Sequence, residues 1–393
     1  IYTLSLHDAL PICILDIEVE DDKTFVLHVD RVTFDYNDLG LDILPAHLER
    51  AAFAEPREYK NRTTFDTDTT NPGLYFGPYR ITEKVTGSYV VLEPNPTWWG
   101  KTPYFRRIVI KVIGNTAALE ANLLSGSIDY IAGELGLSLD QAIAFEKRHG
   151  KKYNIRFKPG LIYEHLDVNL DNPVLKDRRV RRALIYALDR EAINKQLFDG
   201  RQPVAATFVH PLDWIYTTDT PLYRRDLKKA RALLDAAGWT VKRKGVRYNG
   251  AGKRLGIELM TTAGNRSREL VQQVLQSQWR DIGVDTRIRN EPARVYFGET
   301  VTKRKFTALA MFAWLSAPEN VPRSILHSKE IPTAANNYSG QNYMGYANAE
   351  VDELLEAIEV ELDRDKRRAL WHRLQRIYAS ELPVIPLFFR ADA

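Results

Sequence analysis

LGIELMTTAG at residues 255–264, SRELVQQVLQSQWRDI at residues 267–282 and VDTRIR at residues 284–289 decide the fold class of this chain. The outer two stretches read as strands, and the middle one reads as a helix stopped by Gly283. Strand, helix and strand in that order form a βαβ unit, whose crossover predicts two parallel strands and a right-handed connection. The half of the chain that carries this unit is therefore α/β.

The same punctuation extends outward on both sides. Upstream, the apolar run LIYEHLDVNL from Leu161 precedes a helix with Asp177 as N-cap and Val180, Leu184 and Leu188 at helical spacing. Asp189 caps a continuation that ends at Gly200, and residues 226–237 form another capped helix closed by Gly238. Downstream, the strand FTALAMFAW leads into a Pro, Asn and Ser-rich stretch over residues 316–345 without clear periodicity, and loops that long are usually functional. Helices begun by Asn348 and Asp363 follow, then a last strand over residues 384–390.

The N-terminal part reads differently. Ile17, Val19, Phe25, Leu27 and Val29 alternate around Asp21 and Asp22, which is a hairpin pattern. Strands at residues 79–82, 89–92 and 107–113 are separated by Gly87 and by the Pro94, Asn95, Pro96 turn. A helix over residues 116–124 stops at Gly126, and Ser138 caps residues 139–147.

A chain of 393 residues predicts two to three domains at about 150 residues each. With 44% hydrophobic and 27% charged residues it reads as a soluble globular protein. The balance of 55 Lys and Arg against 51 Asp and Glu offers no strong field for nucleic acid or an anionic membrane. The basic cluster from Lys147 to Lys152 is a solvated helix end beside the negative pole of its dipole. No stretch reaches the roughly 18 consecutive apolar residues of a membrane span. Cys13 is the single cysteine, so no internal disulfide is possible. It belongs to residues 1–13, IYTLSLHDALPIC, which lack the features of a signal peptide and read as a non-native scar. An export signal is expected upstream of the natural start, and truncation is expected after Arg390.

Catalytic patterns fail for want of spacing. There is no HExxH, the eight histidines are scattered, and no GxSxG occurs. WWGKT at residues 98–102 has Asn95 where a phosphate-binding loop needs its first glycine, and GAGKRLG at residues 250–256 lacks Ser or Thr after Lys253. Glu353 and Glu356 lie on one amphipathic helix and read as solvated. The expectation is no catalytic residue, no metal site and no cofactor. What remains is Trp314, at the C-terminal end of a predicted strand where open α/β sheets bind ligands, and the loop carrying Asn336, Asn337, Tyr338, Ser339, Gln341, Asn342 and Tyr343. Such a loop either reads a polar, flexible ligand or is a solvated turn anchored by buried tyrosines.

Four segments, in order, resemble the family 5 extracellular solute-binding proteins of ABC transporters, the dipeptide and oligopeptide-binding type. They are GPYRITEKVTGSYVVLEPNPTWWGKTPYFRRIVIKVI, LLSGSIDYI, VNLDNPVLKDRRVRRALIYALDREAINKQLFDGR and NYMGYANAEVDELLEAIEVELDRDKRRALWHRLQRIYASELPVIPLFFR. DILPAHL at residues 42–48 is similar to a further family stretch. The resemblance implies a two-lobed periplasmic-binding-protein-like fold, type II of the large peptide-binding cluster, with hinge crossover strands at residues 163–169 and 384–390. Residues 14–162 would be an incomplete lobe one, residues 163–387 lobe two, and residues 388–393 the start of the return into lobe one. It also implies a monomeric, non-enzymatic receptor, periplasmic or extracellular and lipid-anchored, that delivers a peptide or peptide-like solute to ABC transporter permease subunits. An oligosaccharide, an opine or a metal chelate is the alternative solute, and a cleft hydrolase is the rival class.

The implied ligand-binding residues are Trp314, Leu315, Ser316, Ala317, Glu319, Asn336 and Asn337, joined by Tyr338, Asn342 and Tyr343 of the polar loop. One departure stands out. Where peptide-binding members have the aspartate that receives the ligand's α-ammonium group, this chain has Ala317, and Glu319 is the nearest carboxylate that could replace it.

Overall fold

The computed structural model describes residues 14–38, 44–55, 59–131, 136–317 and 320–393. The expected scar at residues 1–13, part of DILPAHL, and Glu319 lie outside the described residues.

The chain forms two compact units, one of residues 38–137 and one that joins residues 14–37 to residues 138–393. The second opens with the antiparallel hairpin β1 (Ile14–Val19) and β2 (Phe25–Val29). Its turn forms where Asp21 accepts the Lys23 N–H at 2.7 Å.

In the first unit β3 (Tyr79–Val85), β4 (Tyr89–Pro94) and β5 (Ile108–Lys111) make an antiparallel sheet in that order. Gly87, at φ 74°, turns β3 into β4. The helix Thr116–Ser125 starts at Asn115, whose side chain accepts the Ala118 N–H, and stops at left-handed Gly126.

The second unit is built on β6 (Lys158–Val168), the hairpin β7 (Val241–Arg243) and β8 (Val246–Tyr248), then β9 (Gly256–Met260), β10 (Asp285–Ile288), β11 (Leu309–Leu315) and β12 (Val384–Asp392). Five of these strands form one sheet in the order β10-β9-β11-β6-β12. β10 and β11 are both parallel to β9, as the βαβ reading requires, while β6 runs antiparallel to both its neighbours. The helix Arg266–Arg280 between β9 and β10 begins at Asn265, which accepts the Arg268 N–H, and buries Val271, Leu275 and Trp279.

Both faces of this sheet are covered. Leu259, Leu309 and Leu166 enter a large core with Leu184, Leu188, Leu275 and Trp279. Met260, Ala310 and Phe312 point the other way, among Tyr296, Val301 and Phe306. Near-continuous apolar runs in β9 and β11 follow from that double burial. The helices Ala349–Val360 and Arg364–Glu381 share a further core with Met344 and Val384.

The division between units differs from the boundary expected at residues 162 and 163. It falls between Leu137 and Ser138 because Leu139 and Ile143, on the helix Leu139–His149, enter the large core of the second unit. Residues 388–393 likewise stay with that unit, since β12 pairs with β6 as far as Asp392 opposite Lys158. Among the described residues no helix is long and apolar enough to cross a membrane.

Candidate functional site

Side chains of β6 alternate between the two faces of the sheet, and the two sets differ in chemistry. Leu166 and Val168 enter the large core. Glu164, on their face, accepts hydrogen bonds from Arg268 at 2.8 Å and from Arg390. Burial pushes its carboxyl up, but the two guanidinium charges more than offset this and hold it below the usual range.

Tyr163, His165 and Asp167 occupy the opposite face. Pairing sets Trp314 of β11 against Tyr163 and Phe312 against His165, and sets Val384 of β12 against Asp167. Together with Phe208, Tyr378, Gln341 and residues 315–317, 320–322 and 324–326, the side chains of Tyr163, His165, Asp167, Trp314 and Val384 enclose a cavity of about 130 Å³ within the second unit. Its floor is β6. Its mouth carries Leu315, 68% exposed, and the exposed Ala317 and Asn320.

The floor is polar and buried. Asp167 is 1% exposed, and neither of its oxygens has an aligned hydrogen-bond partner. His165 Nε2 lies 3.2 Å from Asp167 Oδ1, which is ion-pair distance without the alignment of a hydrogen bond. His165 Nδ1 is 3.1 Å from the Tyr163 carbonyl oxygen, which can only accept, so Nδ1 carries the hydrogen in that contact. The imidazole stacks on the Tyr163 ring at 4.9 Å and meets the Phe312 ring edge-on at 4.7 Å. Burial pushes the Asp167 carboxyl above its usual range, against the pull of His165. Tyr163 and Tyr378 pair their hydroxyls at 3.1 Å, and burial raises both, so both stay protonated.

Trp314 presents an indole N–H without a hydrogen-bond partner to the same cavity, and Tyr343 stacks on its ring at 6.1 Å. Ser316 is tied down: its N–H donates to the Leu161 carbonyl at 2.7 Å and its hydroxyl to the Phe208 carbonyl at 3.1 Å. These contacts leave Ala317 at the mouth, where its side chain offers no polar group.

The structure thus brings Trp314, Leu315, Ser316 and Ala317 together around one cavity, while Asn336, Asn337, Tyr338, Asn342 and Tyr343 are not part of its lining. Asn336 closes a capping box with Thr333, and Asn337 and Tyr338 take left-handed turn conformations. Asn342 is fully buried and clamps its own turn, donating to the His327 and Tyr346 carbonyls and accepting the Tyr346 N–H. Tyr343 buttresses Trp314 from behind. Gln341 alone of that loop lines the cavity, held by the Ser324 hydroxyl at 3.0 Å. His165, Asp167, Phe208 and Tyr378 escaped the sequence reading. The available signal was the period-two spacing of Tyr163, His165 and Asp167 inside a run that otherwise reads as core. Among the described residues no group of three His, Cys, Asp or Glu side chains converges as metal ligands would.

The second unit is thus an α/β unit holding a small, aromatic-walled cavity with polar groups at its floor. The chain belongs to the bacterial extracellular solute-binding proteins, family 5, whose middle-region pattern matches residues 5–332. The oligopeptide-binding protein AppA of Bacillus subtilis is 29% identical over 319 residues, 80% of this chain and 56% of that protein. The nickel-binding periplasmic protein of Escherichia coli is 25% identical over 340 residues, 86% of this chain and 63% of that protein. The oligopeptide-binding protein of Thermus thermophilus, solved with a pentapeptide, superposes with a TM-score of 0.73 at 30% identity over 96% of this chain and 71% of its own. The fold is therefore the two-lobed fold of this family, and the chain spans 56% to 63% of the length of the two curated relatives named.

Proposed function

We propose that this protein is the solute-binding receptor of an ABC importer, acting outside the cytoplasmic membrane on a peptide or peptide-like solute and handing it to membrane permease subunits. The observation that carries the reading is the cavity, where Trp314 and the residues after it meet unpaired polar groups on β6. Ligand-binding side chains are then Trp314, Leu315, Ser316 and Ala317, with Asn336, Asn337, Tyr338, Asn342 and Tyr343 shaping the loop behind them; Glu319 is the proposed additional carboxylate. Relatives named for oligopeptides support the solute class. A non-peptide solute is the second reading, favoured by Ala317 in place of an amine-binding aspartate and by the relative named for nickel. The receptor is proposed to act as a monomer, without catalysis, cofactor or nucleic acid.

Native mass spectrometry of protein purified from its own host tests this directly. A released peptide supports the reading, and a released sugar or chelate supports the second. Incubation with a peptide library must leave every peptide intact, because cleavage would make the protein a hydrolase.

A further inference from the structure

Within that receptor reading, we infer that the cavity below Ala317 receives an alkylammonium group, with Asp167 as its counter-ion and His165 as a positioning residue.

Two buried carboxylates on one strand carry the argument. Glu164 is matched by two guanidiniums, whereas Asp167, on the cavity face, has no aligned partner for either oxygen. A buried carboxylate without partners is costly, and native structures rarely leave one so. Among the described residues no lysine or arginine lines the cavity, and His165, with Nε2 3.2 Å from Asp167 Oδ1 but not aligned as a hydrogen bond, leaves both carboxylate oxygens open to a further donor.

The surroundings select the kind of cation. Tyr163, Phe208, Trp314 and Tyr378 line the cavity, and aromatic faces attract ammonium groups while tolerating the alkyl stem behind them. His165 fixes the geometry: its Nδ1 donates to the Tyr163 carbonyl and its Nε2 lies 3.2 Å from Asp167 Oδ1, which holds the ring against the carboxylate. An ammonium has three donors and can meet both Asp167 oxygens at once. A neutral or anionic ligand end would leave the carboxylate unmatched. At about 130 Å³ the cavity is smaller than the roughly 300–1,000 Å³ of a whole small-molecule site, so it takes one end of a ligand and leaves the rest at the mouth. That end is either an amino terminus or a lysine-like side chain.

Calorimetry on the 393-residue chain separates these sources and tests the inference. The probes are Ala-Lys-Ala and Ala-norleucine-Ala, each with a free and an acetylated amino terminus, together with n-butylammonium and n-butanol. The proteins are wild type, Asp167→Asn and Ala317→Trp. The inference expects wild type to prefer a cationic probe over its neutral counterpart by about 10-fold or more, the equivalent of about 1.4 kcal/mol, and Asp167→Asn to bind the two alike. Loss of the preference on acetylation identifies the amino terminus, and loss on replacing Lys by norleucine identifies the side chain. Peptide binding with no charge preference, or a preference that survives Asp167→Asn, overturns the inference and leaves the receptor reading intact. If no peptide binds, the peptide reading fails and the small probes decide: n-butylammonium binding lost in Asp167→Asn supports the inference, and no binding overturns it. If Asp167→Asn does not fold by circular dichroism, Ala317→Trp takes its place, since it narrows the mouth from an exposed position; a charge preference that survives it overturns the inference.

Discussion

In the sheet of the first unit Val109 and Ile110 of β5 are 43% and 54% exposed, and Trp99 nearby in sequence is 86% exposed. In the sheet of the second unit the middle of β9, β11 and β6 is buried on both faces. The difference lies in what covers each sheet. Helices 178–186, 190–198 and 266–280 supply one face of the larger sheet with the large core, while Tyr296, Phe306 and the helix 364–381 supply the other. Such enclosure allows β6 to hold Asp167 without an aligned hydrogen bond to either oxygen and without the local structure rearranging around it. A lightly covered sheet has no comparable constraint, and polar groups on it would reach water instead.

Limited proteolysis is expected to show the comparison at its largest scale. Residues 38–137 should be cut first and a fragment covering residues 138–393 should persist. Its N-terminus sharpens the boundary, because a start near Ser138 matches the packing of Leu139 and Ile143, and a start near Tyr163 matches the strand crossover. A resistant core made of residues 38–137 would break the comparison.

Paired tryptophan substitutions come next. Trp279 is fully buried and donates its indole N–H to the Leu184 carbonyl at 3.0 Å, so Trp279→Ala should lower stability by about 3–5 kcal/mol in urea denaturation. Trp99→Ala should change it by no more than about 0.5 kcal/mol. Similar losses at both sites would mean that the two units are equally well packed. A smaller effect, about 1.5–3 kcal/mol, is expected for Arg268→Met, which leaves Glu164 to Arg390 alone.

Titration separates two carboxylates within the second unit. Glu164 is held below its usual range, so its contribution is present above the unfolded value near 4.5 and is lost as pH falls through the folded value. Glu359, beside Arg323, has the opposite sign: burial pushes it up to about 7, so its contribution is present below about 4.5 and is lost as pH rises from there through 7. Melting temperature against pH should therefore lose its acid limb in Glu164→Gln and part of its decline between pH 5 and 7 in Glu359→Gln. Unchanged slopes in either variant would contradict the corresponding assignment.

The helices were legible from their ends. Asp177, Asp189, Asp226, Asn348 and Asp363 each accept an N–H from the first turn of the helix they precede, and Gly126, Gly238 and Gly283 take the positive φ that stops one. These signals are local, so they survive without knowledge of the fold. Strand order is not local. β6 lies between β11 and β12 through pairings that no short window contains, and only that register places Trp314 opposite Tyr163 and Val384 opposite Asp167. The polar loop is hard to read for a related reason, since Asn336 and Asn342 satisfy backbone groups of their own turns, which composition cannot distinguish from groups held ready for a ligand.

A crystal structure of the protein with the solute it carries from its host would show what the β6 cavity holds. The ligand is expected to lie against Trp314 and Ala317, with a cationic end in the cavity about 3 Å from Asp167. A ligand that touches neither Trp314 nor Ala317 and leaves the β6 cavity vacant would contradict that expectation.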